Sequence, residues 1–211
     1  MAIIEQTIFN SVGNKIMTKD KEILIVGKMV EPLILILDNV LSFAECDALI
    51  DLASNRMKRA KIGGSHVVSD IRTSSNMFFE ESENEMIATI ETRVSELMNI
   101  PISHAEPLQI LHYKTGEQYH PHFDYFTSEN VVNNRISTLV MYLNDMAIGG
   151  ETFFPSLGLA VSPKKGSAVY FEYFYNDTRL NELTLHAGNP VEVGEKWVAT
   201  QWMRRQRHRD M

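Results

Sequence analysis

The segment Tyr119-His120-Pro121-His122-Phe123-Asp124 is the point from which the rest of the chain falls into place. In an extended strand, residues two apart share a face and lie about 7 Å apart at Cα. That spacing lets two side chains converge on one ion through bonds of about 2 Å. Residues four apart, at about 13 Å, do not converge in this way. His120 and Asp124 are therefore not both ligands, whereas His122 pairs with either neighbour.

Working outward, short apolar runs broken by turn residues fill the chain from Glu106 onward. Strands are expected at Leu108 to Tyr113, Ser137 to Leu143, Ala168 to Phe174, Glu182 to His186 and Trp197 to Met203. Thr115-Gly116, Gly149-Gly150, Pro163 to Gly166, Gly188 to Pro190 and Gly194-Glu195 separate them. Many short strands at this spacing suggest a sandwich or closed barrel of the jelly-roll kind.

Before the strands, Ser42 reads as an N-cap with Glu45 at capping-box spacing, followed by Phe43, Cys46, Leu49, Ile50 and Ala53 at helical intervals. A second helix begins near Ser82 or Glu83, buries Met86, Ile87, Ile90, Val94 and Leu97, and ends at Pro101. The expected class is mainly β with flanking helices, the two helices packed on one sheet. Residues 1–32 read as an N-terminal extension, 33–105 as helical support, 106–205 as the jelly-roll core and 206–211 as a basic tail.

At 211 residues the chain buries roughly 70% of its unfolded surface, so folding needs no staple. Its charge of -7 is uneven: Arg204 to Met211 carries +3, leaving -10 on the body. So acidic a body is a poor partner for nucleic acid, whose phosphates call for clustered Lys and Arg. The tail reads as a solvated, frayed terminus. Cys46, the single cysteine, reads as a buried apolar residue and forms no intrachain disulfide. Met1 to Asn10 has no secretory pattern and Pro32 to Leu37 is too short to span a bilayer, so a cytoplasmic protein away from membranes is expected.

Seven histidines are present. His66, His104 and His208 read as ordinary surface or core residues. A His-plus-carboxylate pair at His122 and Asp124 fits the two-His-one-carboxylate triad of iron oxygenases, which leaves positions open for other ligands. The competing reading is a hydrogen bond between the two within a strand. His186, just before a Gly-Asn-Pro turn, suits a third ligand. Lys196 reads first as a surface residue. Facing inward beside a metal, its ammonium would pair with the far end of a dicarboxylate, with Tyr113 and Thr152 adding hydroxyl donors.

Taken in order, seven motifs carry a resemblance. They are Tyr113-x-x-Gly116-x-x-Tyr119-x-x-His122-x-Asp124, Arg135-x-x-Thr138, Tyr142-Leu143-Asn144, Gly149-Gly150-Glu151-Thr152-x-Phe154-Pro155, Pro163-x-x-Gly166, His186-Ala187-Gly188 and Gly194-Glu195-Lys196-Trp197. Over about Leu33 to Arg205 the chain resembles the collagen-type prolyl 4-hydroxylases, particularly the small Bacillus members. The resemblance implies a double-stranded β-helix and places the family's H-x-D on His122 and Asp124 and its distal histidine on His186, as Fe(II) ligands. It implies Lys196, Tyr113 and Thr152 as 2-oxoglutarate contacts, and Arg72, Ser74, Glu106, Tyr119, Arg135 and Trp202 as peptide contacts. The implied reaction uses O2 and 2-oxoglutarate, with ascorbate as reductant, to make 4-hydroxyproline, succinate and CO2.

The implied substrate is a proline-containing peptide, collagen-like or polyproline. The alternative is a related oxygenase acting on a small molecule or another protein side chain. A metal-binding module of the same architecture is a third reading, but it has no need of Lys196. The resemblance implies that a loop at Asp70 to Asn76 closes over the peptide; a merely exposed hairpin loop is the competing account. Likeness to bacterial members admits a homodimer, for which no heptad gives separate support.

Overall fold

The computed structural model describes residues 7–60, 71–128, 131–175 and 178–209. In chain order, β1 (Lys15–Met17), β2 (Glu22–Met29) and β3 (Ile34–Asp38) precede helix α1 (Phe43–Ser54). Then come β4 (Lys58–Arg59), β5 (Ser75–Phe78) and helix α2 (Glu85–Met98). The remainder runs β6 (Gln109–Lys114), β7 (Tyr119–His122), β8 (Arg135–Tyr142), β9 (Thr152–Phe154), β10 (Leu159–Val161), β11 (Ala168–Glu172), short helix α3 (Thr178–Glu182), β12 (His186–Gly188) and β13 (Glu195–Arg204).

Strands β6 to β13 are divided between two antiparallel sheets, alternating except at the β9–β10 hairpin, which lies wholly in the smaller one. The large one has the order β1-β2-β3-β11-β8-β13-β6-β5-β4 and the small one β10-β9-β12-β7. This is the double-stranded β-helix that the resemblance implies, and it agrees with the jelly roll expected from the turns and short runs. The stretch read as helical support also supplies β3, β4 and β5, and β1 and β2 widen the same sheet.

Period-2 alternation along the large sheet makes two cores. On β13, Trp197, Ala199 and Met203 face the helices, while Lys196, Val198, Thr200 and Trp202 face the space between the sheets. Leu139 and Met141 of β8 join Cys46, Leu49, Ile87, Ile90 and Val94 in the helix-side core. Tyr142, Phe154, Val169, Phe171 and Val198 fill the space between the sheets.

Both helices have local causes. Ser42 caps α1 in a complete capping box, accepting from the Glu45 amide at 3.2 Å while Glu45 accepts from the Ser42 amide at 2.7 Å. Asn84 rather than Ser82 or Glu83 caps α2, accepting from the Ile87 amide at 3.0 Å, and left-handed Asn99 ends it ahead of Pro101. Cys46 is buried as expected, and burial pushes its thiol up to about 11.

Two expectations fail. The strand read at Glu182 to His186 is instead the end of α3 and a turn, with the strand starting at His186. Local bonds satisfy those amides, Thr184 N donating to Asn181 O at 3.0 Å and Leu185 N to Glu182 O at 3.2 Å. The basic tail is not wholly solvated. Arg209 is only 4% exposed, because its guanidinium meets the buried Glu91 carboxylate at 2.7 Å.

Candidate active site

The small sheet brings the H-x-D segment and His186 together. His186 on β12 pairs directly with His122 on β7, and Asp124 follows two residues beyond. One ligand atom from each of His122, Asp124 and His186 lies within 4.8 Å of the others. His122 Nε2 is 3.6 Å from Asp124 Oδ1, and His186 Nε2 is 3.6 Å from Oδ2.

The protonation pattern follows from the neighbours. His122 Nδ1 meets the His120 carbonyl at 2.9 Å, and His186 Nδ1 meets the Thr184 carbonyl at 3.0 Å. A carbonyl only accepts, so each Nδ1 carries the proton and each Nε2 presents a lone pair. Burial brings the His186 imidazole down to about 4, which keeps it neutral at pH 7. Burial opposes the Asp124 charge, yet in acid it is outweighed by the adjoining His186 and His122 rings, which when protonated attract the carboxylate and hold its carboxyl well below the usual carboxylate range. Two bare imidazole nitrogens and one carboxylate on one side of a cleft suit a divalent iron ion. His120, whose ring is exposed, serves here through its backbone carbonyl.

Two hydroxyls the sequence reading did not single out stand behind the carboxylate. Thr138 Oγ1 donates to Asp124 Oδ2 at 2.7 Å and lies 2.9 Å from the Tyr173 hydroxyl, which therefore donates to it. Thr138 sits within one of the quoted motifs; what sequence alone lacks is the register of β8, which turns it inward.

The cleft in front encloses about 440 Å³, including the part open to solvent. Lys196 lies on one of its walls, 3% exposed, its Nζ 5.4 Å from the Tyr113 ring and 5.8 Å from the Tyr142 ring. Burial pulls its ammonium down to about 8, with Glu151 offsetting part of that. Thr152 Oγ1 accepts from the Tyr142 hydroxyl at 2.8 Å, which leaves its own proton to donate. Gly149, at φ +78°, lets the turn before β9 pass against the Pro190 carbonyl, where a Cβ would collide.

The sequence model of the 2OG-Fe(II) oxygenase superfamily matches residues 108–204. A probable prolyl 4-hydroxylase 3 of Arabidopsis thaliana is 37% identical over 199 residues, covering 82% of this chain and 69% of the relative. The chain belongs to the prolyl 4-hydroxylase family.

Prolyl 4-hydroxylase 5 of the same plant is 38% identical, covering 82% of this chain and 68% of its own length. Among solved structures, the viral collagen prolyl hydroxylase of Paramecium Bursaria Chlorella virus-1, as its 2OG complex, is 34% identical. It superposes with a TM-score of 0.68, covering 81% of this chain and 95% of that one. A Trichoplax adhaerens prolyl hydroxylase bound to a hypoxia-inducible-factor peptide shares the fold at TM-score 0.62 and 17% identity, covering 81% and 82%.

In this family member the six residues expected to touch peptide fall into two groups. Arg72, Tyr119 and Trp202 line the cleft. The Tyr119 ring stacks on His122 at 3.5 Å, and Arg72 lies over the Tyr119 ring at 4.8 Å. Ser74 is fully buried, accepting from Arg72 Nε at 3.3 Å. Glu106 and Arg135 stand outside the lining and meet in a bidentate pair at 2.6 and 2.7 Å. Arg135 also donates to the Asp124 carbonyl at 3.3 Å and lies 3.9 Å from the Trp202 ring centre. Of the loop expected to close on peptide, Asp70 lies outside the described residues, as does His66. Arg72 bridges to Tyr119, and Ser75 and Asn76 belong to β5, paired with β6.

Proposed function

We propose that this cleft hydroxylates C4 of a proline in an extended peptide, consuming 2-oxoglutarate and O2 and releasing succinate and CO2. The observation that carries the reading is a two-His-one-Asp cluster in a cleft of mixed lining. A buried ammonium with no ion-pair partner among the described residues stands on β13, Trp202 lies further along the same strand face, and Tyr119 adds a second aromatic ring from the small sheet.

His122, Asp124 and His186 would hold Fe(II), which when bound supplies, with 2-oxoglutarate and O2, the oxidation of a C–H bond to C–OH. The chain's own part is position, charge and dryness. Lys196 neutralises the far carboxylate of 2-oxoglutarate, and the Thr152 and Tyr113 hydroxyls donate to it. Tyr119 and Trp202 offer flat faces to a proline ring, and a proline-rich chain arrives partly ordered as polyproline II. Trp202 Nε1 and Thr200 Oγ1, buried without partners among the described residues, are donors for groups brought in by the ligands. Ascorbate is the expected reductant.

No helix among the described residues is long and apolar enough to cross a membrane. The test is mass spectrometry of collagen-like and polyproline peptides after incubation with Fe(II), 2-oxoglutarate, ascorbate and air. One added oxygen on proline, lost in His186→Ala, is the expected result. Succinate without modified peptide would redirect the search to a small molecule, and neither product would sink the oxygenase reading.

A further inference from the structure

The C-terminal tail after β13 ends on a buried charge that the reaction itself does not use. Arg209 donates from Nη2 to Glu91 Oε1 of α2 at 2.7 Å and to the Glu106 carbonyl at 3.1 Å. Its Nε donates to the Ala105 carbonyl at 3.0 Å. The tail backbone is held as well, His208 N and Arg209 N both donating to Ser103 O, at 2.8 and 3.0 Å. One guanidinium thus grips two consecutive carbonyls just ahead of β6 and anchors them to α2 through a carboxylate that is itself buried.

What it grips is the segment that presents Glu106. The Glu106 amide donates to the Trp202 carbonyl at 3.0 Å, and its carboxylate holds Arg135 by both oxygens. Arg204 closes on that carboxylate too. Arg135, so oriented, lies over the Trp202 ring and donates to the Asp124 carbonyl.

We infer that Arg209 is a positioning residue for the peptide side of the cleft. It fixes the Ala105–Glu106 main chain, so that Glu106 can hold Arg135 against Trp202 and the Asp124 backbone. The inference rests on the reading of Trp202 as part of the peptide wall. A planar fork with several donors does what a single ammonium cannot, because three acceptors lie around it in fixed directions.

Arg209→Lys is the informative change. Lysine keeps the charge opposite Glu91 but cannot serve Glu91 and both carbonyls together. The expected result is a peptide KM raised about five- to tenfold, with KM for 2-oxoglutarate within twofold, since Lys196, Tyr113 and Thr152 touch none of this network. Hydrogen exchange of the Glu106 amide, measured without peptide, should quicken about tenfold. Arg209→Ala should exceed both effects, and Arg209→Lys carries the test if the alanine variant does not fold.

A peptide KM within twofold of wild type and an unaltered Glu106 exchange rate in Arg209→Lys would overturn the inference. So would an equal rise in both KM values alongside a lower Tm, which is the mark of general loosening. If the wild-type enzyme modifies no proline peptide, the proposed function fails, while the exchange measurement still judges the latch.

Discussion

Replacing Lys196 with methionine should make the ligand-free protein more stable and close to useless. Methionine matches the lysine stem in length but carries no charge. The ammonium at this site has its pKa near 8, against an ordinary 10.5. Each tenfold change in proton affinity is worth about 1.4 kcal/mol, so keeping it charged in the fold at pH 7 costs on the order of 3 kcal/mol. The sign follows from proton counting. The folded pKa is depressed, so below about pH 8 both states are protonated and the cost is fully present. Between about 8 and 10.5 the folded state sheds its proton first and stability rises.

For a domain of this size about 1 kcal/mol moves Tm by roughly 2–4 °C, so Lys196→Met should gain up to roughly 10 °C at pH 7. The gap should narrow toward pH 10. In exchange, 2-oxoglutarate loses a desolvated charge partner, a loss of about 2–5 kcal/mol, or roughly 30-fold to more than a thousandfold in affinity. Thermal melts of both proteins at pH 7 and 10, with and without 2-oxoglutarate and Fe(II), measure both sides. A methionine variant that melts lower at pH 7, or whose advantage does not change with pH, refutes the electrostatic account. Undiminished stabilisation by 2-oxoglutarate refutes the assigned role.

Thr138→Val removes the only hydroxyl seen donating to Asp124 among the described residues, and should weaken Fe(II) binding about 10- to 100-fold with a Tm loss of a few degrees. Anaerobic titration of the visible band with Fe(II) and 2-oxoglutarate reads it, and unchanged affinity would show the bond to be incidental. Arg93→Met, far from the cleft, leaves Glu45 without its guanidinium partner and should cost about 3–5 kcal/mol with the turnover of the folded fraction intact. Urea melts against specific activity separate these. Arg93 holds the Glu45 and Asp20 carboxyls below their usual range. The stability from that pairing is present above the ordinary carboxylate pKa and fades as pH falls through the depressed values. The variant should therefore lose the acid-sensitive part of the wild-type curve, which sets in as pH falls below the ordinary carboxylate range.

Strands β8 and β13 of the large sheet were legible because eight or ten residues give alternation room to show, as in Lys196, Val198, Thr200 and Trp202 against Trp197, Ala199 and Met203, whereas β2, also eight residues long, was hidden within the expected N-terminal extension. Strands β9, β10 and β12 hold three residues each, too few for a period to emerge, and β12 was read on the wrong side of His186. Leu183 and Leu185 imitate alternation there, while local bonds to Asn181 and Glu182 close a turn. The metal cluster was readable in part. Spacing narrowed it to His122 with one neighbour, and cross-strand pairing with β12 supplies what spacing cannot. The tail was misread because net charge says nothing of a buried partner 118 residues away.

On the proposed reading, strand β13 is a ruler between the two halves of the reaction. Lys196 and Trp202 stand six residues apart on one face, about 20 Å along an extended chain, with no joint between them. Deleting or inserting one residue in that span would not shorten or lengthen the measure; it would turn everything beyond it toward the helices. Insertions of two would keep the face but move Trp202 away from the ammonium by nearly 7 Å. The separation of Lys196 and Trp202, and with it the proposed spacing of cosubstrate and peptide, is therefore quantised. A protein engineer seeking a longer or shorter cleft must rebuild the rims, because the wall itself comes only in double steps.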